Sequence, residues 1–137
     1  MNTATRPESA AVEQAAYEDL CLYIDGEFIK GGGRKEQDVV NPANGQPIAK
    51  LPHASREDLD RALAAAQRAF ETWKKSSPME RARILRKVGD LSRERAKDIG
   101  RNITLDMGKP VAEAIGEVTS CSEHCDWHAE ECRRIYG

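Results

Sequence analysis

Two periodicities divide the chain. Up to about residue 52, apolar positions fall in short β-rich runs; from Ser55 onward they recur at helical spacing. Leu20 to Ile24 and Phe28-Ile29 flank Asp25-Gly26, a pair suited to a hairpin turn because both residues must take positive φ. Gly31-Gly32-Gly33 reads as a flexible turn, Gln37 to Asn41 as a third strand, Pro42 to Gly45 as a turn, and Ile48 to Leu51 as a fourth strand.

Ser55 then reads as an N-cap, with Asp58 making an imperfect capping box. Leu59, Ala62, Leu63, Ala66, Phe70 and Trp73 form one stripe of a helix that stops near Lys75. Ser77-Pro78-Met79-Glu80 starts a second helix, striped by Ala82, Leu85, Val88 and Leu91. Gly89 and Gly100 weaken the helical pattern. A break is expected near Ala96, with one more short helix through Ile99, Ile103 and Leu105. Gly108 before Pro110 ends it, and the last helix is expected from Val111 to Ile135. The organisation expected is an arm over 1–19, hairpin and short strands over 20–52, and a helical segment over 53–137.

Composition narrows the function classes. With 39% hydrophobic residues in 137, the chain is globular in character. No run approaches the roughly 20 apolar residues of a membrane span. Charged residues reach 32%, so much helix surface must face water, and a net charge of −2 predicts no polyanionic partner. The basic residues Arg81, Arg83, Arg86, Lys87, Arg93, Arg95, Lys97 and Arg101 are interspersed with acids and lack stacking aromatics; they read as a solvated face, not a nucleic-acid site. Two Trp, three Tyr and two Phe are few anchors for a core. The N-terminus shows neither an apolar leader nor an Arg-rich, acid-poor presequence. A cytoplasmic setting with free thiols is expected.

Several segments, in order, resemble the N-terminal part of the NAD(P)-dependent aldehyde dehydrogenase superfamily. They are Leu22 to Phe28, Val40-Asn41-Pro42-Ala43-Asn44-Gly45, Ala65 to Phe70, Glu80 to Leu85, Gly108-Lys109-Pro110 with Ala112 to Ala114 and Gly116 to Val118, and Arg134-Ile135-Tyr136-Gly137. The succinate-semialdehyde dehydrogenase branch is the most similar, although Ile115 stands where that branch often carries a basic residue. The resemblance implies an α/β family fold of which this chain holds a short β-hairpin region followed mainly by α-helices, without the Rossmann-type sheet. It implies oxidation of an aldehyde, succinate semialdehyde among the candidates, to a carboxylate with NAD or NADP in the full-length member.

The family's nucleophile loop, general base and dinucleotide fold come from later sequence. The chain therefore reads as an inactive scaffold fragment that binds no dinucleotide alone. Its partners would be the rest of the subunit or other subunits, and self-association is expected. No nucleic acid or membrane partner is expected. The resemblance also implies a monovalent cation held by Asp106 and the backbone carbonyls of Val39 and Val40, and tunnel-wall positions at Gly116, Ser120 and His124. The alternative is a small helical binding or regulatory module.

Cys121, His124, Cys125, His128 and Cys132 invite a zinc reading. Their helical spacing puts Cys121 and Cys132 about 16 Å apart along the axis, too far for one tetrahedral ion; at most Cys121/Cys125 or Cys125/His128 could donate together, as an adventitious two-residue metal site. The expectation is a packed helix face, since a free Cys behaves as a small hydrophobe. A catalytic thiol in this cluster, lowered by His124 or His128, is the lesser alternative. Cys21 is expected to pack.

Overall fold

The computed structural model describes residue 17 and residues 19–135. Of the expected arm, only Tyr17 and Asp19 fall inside that range. The elements run β1 (Leu22–Ile24), β2 (Glu27–Ile29), β3 (Glu36–Val40), β4 (Pro47–Pro52), α1 (Arg56–Trp73), α2 (Pro78–Glu94), α3 (Ala96–Met107) and α4 (Val111–Glu131). Among the described residues there are four helices and two separate antiparallel strand pairs, with no closed sheet. Among the described residues no helix is long and apolar enough to cross a membrane.

The first hairpin turns on Asp25 (φ 56°) and Gly26 (φ 84°), the two left-handed residues a tight two-residue turn requires. Its register pairs Leu22 with Ile29, Tyr23 with Phe28 and Ile24 with Glu27. Ile24 is buried toward α1, whereas Tyr23 and Phe28 stack in the open, ring centroids 4.9 Å apart. Arg68 pairs with Asp25 at 2.6 Å and Arg61 with Glu27 at 3.6 Å, pinning the hairpin to α1.

The second hairpin turns on Asn41-Pro42-Ala43-Asn44-Gly45. Asn41 Oδ1 accepts from the Ala43 N–H at 2.9 Å, Asn44 Oδ1 from the Gln46 N–H at 2.9 Å, and Gly45 takes φ 70°. The motif is therefore a double side-chain-supported turn, which explains its two asparagines.

At the head of α1 the capping box closes in full. Ser55 Oγ accepts from the Asp58 N–H at 3.1 Å, and Asp58 Oδ2 accepts from the Ser55 N–H at 2.9 Å. The expectation of an imperfect box is corrected: an aspartate one methylene shorter than glutamate still reaches back. Downstream, the interval between α1 and α2 is clasped by Arg81. It donates to the Trp73 carbonyl at 3.2 Å, the Lys74 carbonyl at 3.3 Å and Ser76 Oγ at 3.0 Å, with its guanidinium over the Trp73 ring.

Helices α2, α3 and α4 form one bundle, and α4 packs on both others. Small residues let the backbones approach: Ala82 and Gly89 on α2, Gly100 on α3, and Ala114, Ser122 and Ala129 on α4 are all buried. Salt bridges from Arg86 to Glu130 and from Arg93 to Asp126 cross the α2–α4 seam. The break expected near Ala96 falls at Arg95, and Gly108 (φ 74°) caps α3 as a left-handed residue. α4 ends at Glu131, not Ile135. Beyond it the Arg133 and Arg134 amides bond to the carbonyls of Glu130 and Glu131, an i→i+3 tightening that closes the helix early.

The core is small. Among the described residues five hydrophobic side chains are buried, Ile24, Ala82, Ala114, Val118 and Ala129, and fifteen large ones are exposed. The α1 stripe faces outward: Leu59, Leu63, Phe70 and Trp73 are 50%, 61%, 53% and 46% exposed.

Candidate functional site

Three places carry side chains that could do chemistry: the end of α3, the turn before α1, and the thiol-bearing side of α4.

At the end of α3, Asp106 accepts from the Tyr17 hydroxyl on both carboxylate oxygens, each at 2.9 Å. Burial, then the hydrogen bond to Asp106 and its charge, push the Tyr17 phenol up to about 12. Val39 is half-buried and Val40 exposed, and the ladder to β4 is irregular between them. A side chain at Gly108 would meet Pro42 at 3.2 Å, so the end of α3 rests on the β3–β4 turn. That contact joins Gly108 to Pro42, and the structure gives the Asp106 carboxylate a hydroxyl partner.

Before α1, Arg34 grips Asp58 with two parallel bonds, Nε to Oδ2 at 2.9 Å and Nη2 to Oδ1 at 2.8 Å, and donates a third to the Gly31 carbonyl at 3.1 Å. Asp58 is buried. The Arg34 bonds and the Ser55 amide hold its carboxyl far below the usual carboxylate range. Sequence reasoning missed this pair. The partners are 24 residues apart, and the only pointer was the glycine run that lets the chain fold Arg34 back. That run joins two strands and leads into no helix, so it offers no phosphate cradle at a helix N-terminus.

On α4 the expected packed face of Cys121, Cys125, His128 and Cys132 is corrected. The buried seam is Ala114, Val118, Ser122 and Ala129. Cys121, His124 and His128 are exposed; Cys125 and Cys132 are half-buried. The seam lies elsewhere because α2 presents Gly89 and can approach only small residues: an added Cβ there would sit 3.2 Å from the Ser122 carbonyl. Burial, then the neighbouring Cys121, pushes the Cys125 thiol up, the opposite of what an activated nucleophile needs. Among the described residues no group of three or more His, Cys, Asp or Glu is placed to hold one ion. Cys21 is half-buried, and all four cysteines are free thiols.

The tunnel-wall candidates Gly116, Ser120 and His124 are exposed along one side of α4. His124 lines a cleft of about 460 Å³ with Glu123, Trp127 and His128. Several of the basic residues are matched to acids or carbonyls, as Arg81, Arg86 and Arg93 show.

These features define a scaffold of two hairpins and four helices with open apolar faces. The chain belongs to the aldehyde dehydrogenase family, whose sequence profile it matches over residues 28–137. It is 40% identical over 114 residues to the NADP(+) succinate-semialdehyde dehydrogenase of Escherichia coli, covering 83% of this chain and 24% of that protein. It is 37% identical over 115 residues to the 3-sulfolactaldehyde dehydrogenase of Pseudomonas putida, covering 84% and 24%. The crystal structure of an NAD-dependent aldehyde dehydrogenase from Sinorhizobium meliloti superposes with a TM-score of 0.86 at 29% identity, covering 97% of this chain and 27% of that one. The chain spans about a quarter of the length of the relatives it matches.

Proposed function

We propose that the chain supplies the amino-terminal scaffold of an NAD(P)-dependent aldehyde dehydrogenase that oxidises a semialdehyde, with succinate semialdehyde the first candidate, to its carboxylate. The observation that carries the reading is the outward apolar face of α1. Leu59, Leu63, Phe70 and Trp73 are held in line by a closed capping box and a buried ion pair, yet little covers them. A helix so firmly fixed with its apolar side open is a surface made to be covered. The partner is the rest of the subunit or another subunit. Relatives named as semialdehyde dehydrogenases support the substrate class.

In such an enzyme the nicotinamide cofactor accepts the hydride. This chain's part is to place helices, and the upward push on the Cys125 thiol from burial and Cys121 speaks against that thiol as a nucleophile. Alone it reduces neither NAD nor NADP. The cation implied at Asp106, Val39 and Val40 belongs to the same proposal. A carboxylate and carbonyls are a fitting donor set for a hard cation, which would take the place of the Tyr17 hydroxyl. A cytosolic setting accords with the four free thiols.

A chimera tests the reading. Residues 22–137 replace the matching segment of the E. coli succinate-semialdehyde dehydrogenase, and NADPH formation is followed with succinate semialdehyde. Activity within about tenfold of the parent, a change of ~1.4 kcal/mol in barrier, is expected. A folded, soluble chimera with no turnover overturns the reading, as does aldehyde-dependent NADPH formation by the isolated chain.

A further inference from the structure

We propose that Asn44 is a site of spontaneous deamidation whose rate is set by the β3–β4 turn. Its side-chain amide is exchanged for a carboxylate through a cyclic imide closed by the Gly45 nitrogen, with water as the co-reactant. The site stands independently of the enzymatic reading above. Imide closure is fastest where a side-chain amide is followed by a backbone nitrogen with a proton to lose and no side chain to block the approach. Asn44-Gly45 meets these conditions. Both residues are exposed, and a Cβ added at Gly45 would meet nothing within 4 Å. Asn44 Oδ1 accepts from the Gln46 N–H at 2.9 Å, which folds the side chain back along the turn and draws electron density from its Cγ.

The structure sets the other candidates aside. Asn41 precedes Pro42, whose nitrogen has no proton to give up. Asn102 lies inside α3, where the Ile103 N–H belongs to the helix ladder and a β-branched side chain crowds the approach. Asp25-Gly26 has the right order, but Arg68 holds the Asp25 carboxylate at 2.6 Å as an anion, which is a poor electrophile. At Asn44 the restraint is local. The Gly45 N–H donates to the Asn41 carbonyl at 2.8 Å, and Asn41 Oδ1 holds the Ala43 N–H at 2.9 Å. The nitrogen attacks only when this exposed turn opens, so the turn sets the pace. On attack the Gly45 nitrogen gives its proton to solvent and bonds to Asn44 Cγ, the Cγ–Nδ2 bond breaks, and ammonia leaves. Water then opens the imide, with no change of oxidation state. Opening at Cγ leaves aspartate, whose carboxylate still suits the Gln46 N–H. Opening at the backbone carbonyl leaves isoaspartate, which adds a methylene to the main chain and disturbs the Val40–Pro47 pairing that the turn sets.

The test incubates the full chain at mildly alkaline pH and follows the tryptic peptide 36–50 by mass spectrometry, with protein isoaspartyl methyltransferase as the probe for isoaspartate. The mass gain of amide-to-acid exchange is expected at residue 44, with both products present. The same peptide, synthesised without its fold, should convert faster than the chain. Asn41→Ala, which removes the bond to the Ala43 N–H, should speed conversion in the chain by about fivefold, the population change that one net hydrogen bond carries. Asn44→Gln should remove the gain on the same timescale. No gain at residue 44 under conditions that convert the synthetic peptide overturns the proposal. So does a gain at Asn102 that keeps pace with Asn44. Equal rates in chain and peptide, or an unchanged rate in an Asn41→Ala chain that keeps its circular dichroism, overturn control by the turn. The comparison with the peptide needs no variant, so it decides even where Asn41→Ala loses the hairpin.

Discussion

Asp58 does two things at once: it accepts the Ser55 amide, closing the capping box of α1, and anchors Arg34. Its folded-state pKa is depressed, so the stabilisation is present above the ordinary carboxylate value of 3.8 and is lost as pH falls below it. Helicity followed by circular dichroism in an acid titration should show a loss below that value which Asp58→Asn removes. Ser55→Ala, which deletes one arm of the box, should cost ~1 kcal/mol in thermal unfolding. Asp58→Asn should cost more, because it leaves a half-buried guanidinium without its anion. At the other end of the pH scale, Tyr17 has the reverse sign. Its pKa is raised, so its bond to Asp106 holds below the ordinary value of 10.0 and is lost as pH rises through about 12. Tyrosinate absorbance should show a step near pH 12, and Tyr17→Phe should abolish it. Absence of that step would mean that Tyr17 does not hold Asp106 in solution.

The elements show what a sequence can disclose. The Asp25-Gly26 turn, the Ser77-Pro78 start and the Gly108 stop were legible because each is a local demand of the backbone on one or two residues. Gly89 and Gly100 read as weaknesses in their helices. In the structure they mark the crossings, for reasons that lie in other helices and leave no trace nearby. An added Cβ at Gly100 would fall 2.8 Å from Ile115 Cγ1 and 3.0 Å from its backbone nitrogen, whereas at Gly89 the nearest atom is at 3.2 Å. The same replacement should therefore act differently at the two sites. Helix propensity favours alanine by ~1 kcal/mol at both. At Gly100 overpacking of about 1–3 kcal/mol outweighs it. Thermal unfolding should show Gly100→Ala destabilised and Gly89→Ala near neutral; equal effects would mean a looser α3–α4 crossing. The thiol side of α4 illustrates the limit of periodicity. Spacing identifies which residues share a face but not which face the neighbouring helix will take, and Ser122 is buried only because Gly89 lies opposite.

For the molecule as a whole, surface chemistry governs behaviour. Net stability is only ~0.05–0.15 kcal/mol per residue even in complete domains, and here fifteen large apolar side chains lie open among the described residues. The isolated chain should bind a hydrophobic dye and self-associate, as light scattering would register. Phe70→Lys, on the open face of α1, should reduce association without loss of helix by circular dichroism. A strictly monomeric, dye-free species with a sharp unfolding transition would show that the chain is self-sufficient, and would favour a stand-alone binding module.

The clasp that Arg81 makes over the interval after α1 has a consequence for the lifetime of the chain among proteases. Lys74 and Lys75 are adjacent targets for an enzyme that cuts after basic residues, and they sit at the junction between the hairpins with α1 and the bundle of α2 to α4. Cleavage requires the local backbone to open and enter the protease cleft. Arg81 opposes that opening by holding the Trp73 and Lys74 carbonyls and the Ser76 hydroxyl together. Arg81→Ala should therefore be nicked faster by trypsin at this junction than the unaltered chain, and the product that persists should begin at Lys75 or Ser76 and carry the three packed helices.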